Sequence, residues 1–303
     1  WSLADLHDPA KDKPLTDQLA HALAEAEALS AEFKGRLSQL DANRLDGLLK
    51  RYQAISELGS KLTSYADLAF AGNMTDADIG KLAQDAREAE SLIVASLVFV
   101  EHELAEMDDQ HMAALMADPA LARWAPWVRL VRAFRDHQLS LDMETMLIDR
   151  QPSGRGAWIR LFDEMASSLS FPIDGRVVTE AEIIDMMSDP DPETRKKAGM
   201  SRSQVLTENS RTMGLILNTI AKDKQVDDKW RKFERPVSSR NLANDVEDEV
   251  VDQLADSVTK AMPNLSHRYY ALKARWMGVE NLNWWDRNAP VPGEDDRIFT
   301  WHE

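Results

Sequence analysis

The stretch His267-Arg268-Tyr269-Tyr270-Ala271-Leu272-Lys273-Ala274-Arg275-Trp276-Met277-Gly278, followed by Trp284-Trp285-Asp286-Arg287-Asn288-Ala289-Pro290-Val291-Pro292, is the part of this chain that composition alone does not produce. Leu265, Tyr269, Leu272 and Trp276 recur at three- and four-residue steps and therefore share one helical face. Arg268, Lys273 and Arg275 project elsewhere, and Gly278 supplies a C-terminal stop. A basic, aromatic helix thus runs into a Trp-Asp-Arg turn.

The same period recurs toward the amino terminus. Leu15 to Phe33 places Leu19, Leu23, Ala26 and Leu29 on one face, and Leu45 to Phe70 repeats the pattern at greater length. Thr75-Asp76-Ala77-Asp78 reads as a helix start, opening a segment that reaches Glu106 and includes the apolar run Leu92 to Val100, expected to be fully buried. Helical hairpins are the simplest way to bury three such faces. Pro119 and Pro126 bracket a Trp-rich turn, after which Trp127 to Leu139 and Asp142 to Arg150 read as helices. Gln151-Pro152-Ser153-Gly154-Arg155-Gly156 is the clearest break.

Asp174-Gly175, between the short apolar runs of Phe171 to Val178, predicts a β-hairpin with a type I′ turn. Thr179 with Glu182 has the capping-box spacing, and Asp191-Pro192 sets a capping acid before a proline at a first helical position. Val246, Val250, Leu254 and Val258 form a further apolar stripe that ends near Pro263. The expected fold is all-α, with one short hairpin at 171–178.

A hydrophobic share of 44% over 303 residues is enough for a large core. The 52 acidic residues against 36 Lys and Arg give a formal net charge of −16, the wrong sign for phosphate-backbone binding, so nucleic acid is excluded as a partner. No stretch approaches the roughly 20 apolar residues of a membrane-spanning helix. The absence of cysteine excludes disulfides and thiolate metal sites and agrees with a cytoplasmic location.

The Trp284-Trp285-Asp286-Arg287-Asn288-Ala289-Pro290 segment and the helix before it resemble the oligoendopeptidase F family of thimet-oligopeptidase-like zinc metallopeptidases. So do Leu215 to Lys224, Trp230-Arg231-Lys232-Phe233, Ser239 to Asn244, Arg155 to Phe162 and the opening Trp1 to Leu6. One departure is Lys232, where the family carries a glycine in an Arg-Gly-Tyr-like turn, which puts the local turn geometry in question. The resemblance implies an amino-terminal helical lobe over 1–115 and the first part of the peptidase body over 116–303. The start at Trp1 and the capping-box spacing of Thr300 with Glu303 add the expectation of a fragment cut before the catalytic half.

A peptidase of this kind needs His-Glu-x-x-His on a helix, where two imidazoles four residues apart hold zinc and the Glu activates water. The nearest match, His102-Glu103-Leu104-Ala105-Glu106, ends in Glu and lies in an ordinary amphipathic pattern. His302-Glu303 does not fit the family's spacing either. No catalytic or metal-binding residue is therefore assigned. What the resemblance implies is an oligopeptide-cleaving zinc enzyme whose metal ligands lie beyond this chain, which is expected to be inactive alone, with zinc absent from it. The chain would then expose an apolar patch and self-associate, aggregate or require the missing catalytic half as partner. Arg240, Asn241, His267, Arg268 and Tyr270 are the candidates for a peptide channel, Arg binding a carboxylate end and Tyr or Asn hydrogen-bonding a peptide backbone. Packing and salt bridging are the plainer roles for each. The alternative is a non-enzymatic helical protein that binds peptides or a partner.

Overall fold

The computed structural model describes residues 2–291 and Thr300. Trp1, Pro292, His302 and the Glu303 partner in the expected Thr300 capping box lie outside them. The chain divides into two compact units. One comprises residues up to Glu164 together with Ile216–Glu247, and the other Met165–Leu215 with the described residues from Asp248 onward.

The first unit is built on α1 (Leu15–Phe33), α2 (Ala42–Gly72) and α3 (Ala77–Glu106), which pack on one another. The bounds of α1 are those the period predicts. Asp41 and Asp76 cap α2 and α3, their carboxylates accepting the Arg44 N–H in one case and the Asp78 and Ile79 N–H groups in the other. Leu29, Leu45, Leu49, Leu62, Ile93, Val100 and Leu104 form the centre of the core. The run Leu92 to Val100 is not wholly buried, because Leu92 and Val94 face solvent. At about 3.6 residues per turn, nine consecutive residues circle the helix more than twice, so they cannot all meet the neighbours on one side.

Short elements close this unit: α4 (Asp109–Met116), α5 (Ala125–Ala133) and α6 (Leu141–Arg150), followed by α7 (Arg155–Ser168). The helix expected from Trp127 to Leu139 stops at Ala133 and gives way to a 3₁₀ turn over Arg135–His137. Arg132 donates to the Leu104 carbonyl at 2.7 Å and Arg135 to that of Met107 at 3.1 Å, satisfying oxygens at and just beyond the end of α3 that no helical N–H can reach.

The helix α9 (Pro192–Arg231) starts in the second unit and ends in the first. Arg231, its last residue, donates to both carboxylate oxygens of Glu144 on α6, at 2.7 and 2.8 Å. Burial alone would raise the Glu144 carboxyl, but the Arg231 guanidinium and the Leu139 N–H hold it below the ordinary Glu value. The next residue is Lys232, with φ +61°. The Phe233 N–H reaches back to the Asp228 carbonyl at 2.9 Å, the six-to-one bond of a Schellman ending. The turn geometry that the Gly-to-Lys departure put in question is thus the left-handed one, with a lysine in a conformation that glycine adopts at no steric cost. Phe233 then stacks on His137, centroids 3.9 Å apart. After it α10 (Ser238–Ala243) ends the first unit's helices.

In the second unit β1 (Phe171–Ile173) pairs antiparallel with β2 (Arg176–Val178), Ile173 opposite Arg176. Asp174 and Gly175 both have positive φ, 49° and 78°, as a type I′ turn demands. The hairpin buries Phe171, Ile173 and Val178 against Ile183 of α8 (Glu180–Met186) and against Ala198 and Val205 of α9. Thr179 and Glu182 form the predicted capping box, and Asp191 caps α9 by accepting the Thr194 N–H at 2.9 Å.

The remaining helices are α11 (Asp248–Ala261) and α12 (Ser266–Trp276). The stripe predicted for α11 is present, but the helix buries no residue: Val250, Leu254 and Val258 are exposed, Leu254 to 65%. The aromatic face of α12 is largely exposed as well, with Leu265 just before the helix at 67% and Trp276 at 48%, while Lys273 and Ala274 are buried. Leu272 on the same face is half-buried, and Lys273 finds a polar partner.

Candidate functional site

The quoted stretch folds into one side of a cleft. α12 ends in a Schellman motif in which Gly278, at φ +70°, allows the Val279 N–H to bond the Ala274 carbonyl at 3.0 Å. The chain then turns back, and Asn283 and Asp286 cap each other around the 3₁₀ turn Trp284–Asp286. Two buried charges fix this return. Arg195 of α9 donates through Nε and Nη2 to Asp286 at 3.1 and 2.9 Å and through Nη1 to the Asp189 and Pro190 carbonyls. Lys273 Nζ donates to the Arg287 carbonyl at 2.8 Å. With its other oxygen held by the Asn283 backbone and side chain, the Asp286 carboxylate is fully engaged, which is the condition under which a buried ion pair is tolerated. Gly199 of α9 lets the Trp pair lie close, since a Cβ there would meet Trp285 Cβ at 3.0 Å and the Trp284 ring at 3.1 Å.

The cleft that results has a volume of about 910 Å³ and lies wholly within the second unit. Tyr270 and Ala274 of α12 and the Trp284 and Trp285 rings give it apolar walls, and Arg275 and Arg287 also line it. Arg202 on the α9 wall is paired with Glu180 at 2.8 Å. Such a cavity can hold a small organic ligand or a few residues of peptide, oriented by a small number of polar groups.

Of the five residues assigned from sequence, His267 and Tyr270 line this cleft. Arg268 sits beside them on α12, exposed but outside the lining. Arg240 and Asn241 belong to α10 in the other unit, where Asn241 is buried and its carbonyl accepts the Val246 N–H at 3.0 Å. The five therefore do not form one cluster within either unit. Sequence reasoning missed Arg275 of α12 and Trp284 and Arg287 of the turn that follows it, which the fold brings to one cleft.

The His102-Glu103 pair is engaged by the backbone. The His102 ring lies 3.0 Å from the Leu139 carbonyl, and Glu103 accepts the Gly35 and Leu37 N–H groups at 2.6 and 3.1 Å. No group of three or more His, Cys, Asp or Glu side chains among the described residues is placed to hold a metal ion. No described helix is long and apolar enough to cross a membrane.

The sequence model of the family described as Oligopeptidase F matches residues 103–171. No curated protein sequence matches the chain. Among solved structures, oligoendopeptidase-F from Enterococcus faecium superposes with a TM-score of 0.82 at 23% identity, over 92% of this chain and 56% of that one. A structure from Bacillus anthracis str. Ames, described as a putative oligoendopeptidase F, gives 0.65 at 16% identity, over 90% of this chain and 48% of that one. The chain thus spans about half the length of the structures it matches. The resemblance read from sequence holds: residues 103–171 carry the family's pattern, and the fold is that of the amino-terminal part of oligoendopeptidase F structures.

Proposed function

We propose that a chain with the amino-terminal fold of the oligoendopeptidases F supplies the helical half of a zinc metallopeptidase that cleaves short oligopeptides. The observation that carries the reading is the open apolar face of α11 and α12. A helix with Val250, Leu254 and Val258 on one face and none of them buried is built to be covered. The matched structures are nearly twice as long, and the further half they contain is the cover we assign to it. In this reading the metal and the groups that activate water belong to that other half, with oligopeptides as substrate; among the described residues no group of three or more potential ligands is placed to hold a metal ion. This chain's part is to brace the catalytic half and to line a peptide path.

The test is to produce this chain alone, the remainder of a longer homologous polypeptide alone, and the two together, and to follow cleavage of a quenched fluorescent oligopeptide with and without chelator. Cleavage that needs both halves and is abolished by chelator is expected. Zinc-dependent cleavage by this chain alone, or none by the combination or by the uncut longer polypeptide, overturns the reading. A non-enzymatic peptide- or partner-binding protein is the second reading, and the cleft complete within one unit is what favours it.

A further inference from the structure

We propose that the cleft between α12 and the 284–288 segment captures the free α-carboxylate end of a peptide, with Arg275 and Arg287 taking the carboxylate and the Trp284 and Tyr270 rings taking the last side chain. This deepens the peptide reading above and rests on it. In a protein of net charge −16, acids outnumber cations, and several cations have a carboxylate partner: Arg195 with Asp286, Arg202 with Glu180, Arg231 with Glu144, Arg129 with Asp245 and Lys197 with Asp174. Arg275 and Arg287 lie together in the cleft lining. Among the described residues neither has a carboxylate at ion-pair distance, although both line the same cavity, whose lining includes one acid, Glu280.

Two guanidiniums with no carboxylate at ion-pair distance among the described residues, beside apolar aromatic walls, select a ligand with an anionic head and an apolar body. A guanidinium holds a carboxylate through paired N–H donors, and it does so more strongly where the walls exclude water. A peptide terminus has both parts on adjacent atoms. The site is also held rigidly before any ligand arrives. The Arg287 carbonyl is tied to Lys273, and its neighbour Asp286 is locked to Arg195, so the backbone that carries one guanidinium is positioned by buried bonds.

The experiment uses this chain without metal and a pair of hexapeptides ending in leucine. The two differ only in a free or an amidated C-terminus, and each carries a neutral fluorophore at its N-terminus. Fluorescence anisotropy should show the free acid binding at least about tenfold more tightly. Arg275→Ala and Arg287→Ala should each reduce that preference, while Arg129→Ala in the other unit should keep it. Arg287→Lys, which retains the charge, should keep part of it and guards against a folding artefact. Equal binding of acid and amide, binding of neither, or a preference that survives both alanine variants overturns the proposal. Failure here leaves the peptidase reading standing, because that is scored by cleavage in the two-half protein. Failure of cleavage there leaves this binding result standing.

Discussion

Helix α3 buries Ile93, Leu97, Val100 and Leu104 at the three- and four-residue steps of one face, whereas α11, with Val250, Leu254 and Val258 at four-residue steps, buries nothing. The difference is one of company. α3 packs against α1, α2, α5 and α6, while the face of α11 meets solvent. An amphipathic period therefore specifies that a face is to be covered without specifying by what. For Leu or Val, full burial is worth about 1.5–3 kcal/mol per side chain, so a face of three such residues holds several kcal/mol in reserve for whatever covers it.

The largest test of this contrast is truncation on each face. Leu104→Ala, in a fully buried position, should cost about 2–5 kcal/mol in urea-induced unfolding, and Leu254→Ala less than about 0.5 kcal/mol. Equal costs would mean that α11 is packed in solution. The same Leu254→Ala should instead weaken association with a catalytic half, measured by sedimentation of the mixed polypeptides.

The Glu144–Arg231 clamp gives a middle-sized effect confined to the packed unit. Glu144→Gln should cost about 2 kcal/mol at neutral pH, since it leaves a partly buried guanidinium short of a partner. The sign with pH follows from the direction of the shift. A carboxyl held below its ordinary value of 4.5 stabilises the folded state above that pH, and the gain disappears as pH falls through the lowered value. The stability gap between the native chain and the glutamine variant should accordingly close on acidification below about 4.5. A gap independent of pH would remove the ion pair as its cause.

The smallest effect comes from the two Schellman endings. Lys232→Gly should raise stability by about 1 kcal/mol by relieving a left-handed lysine, and Gly278→Ala should lower it by a similar amount. Thermal unfolding of the two variants reads both signs in one experiment.

What the sequence makes legible here is local. The α1 bounds, the Asp174-Gly175 hairpin, the Thr179 capping box and the Gly278 stop each depend on a few neighbouring residues, and each is found where the pattern puts it. The choice of buried face is not local. The period of α12 puts Tyr269, Leu272 and Trp276 on one face, yet Lys273 is the residue that is buried, its amine reaching a carbonyl fourteen residues away. The cleft is less legible still. Its lining joins Met187, Arg202, α12 and the Trp-Asp-Arg turn, and only His267 and Tyr270 carried a sequence signal toward binding.

The tryptophans have a consequence of a spectroscopic kind. Trp276 and Trp284 are about half exposed, and both lie in the stretch 276–284. Indole emission shifts to the blue and sharpens when water leaves its surroundings, so these rings form a built-in optical gauge of whether the α12 face and the cleft are covered. Trp124, already buried in the first unit with its indole N–H on Asp46, supplies an internal reference that should not move.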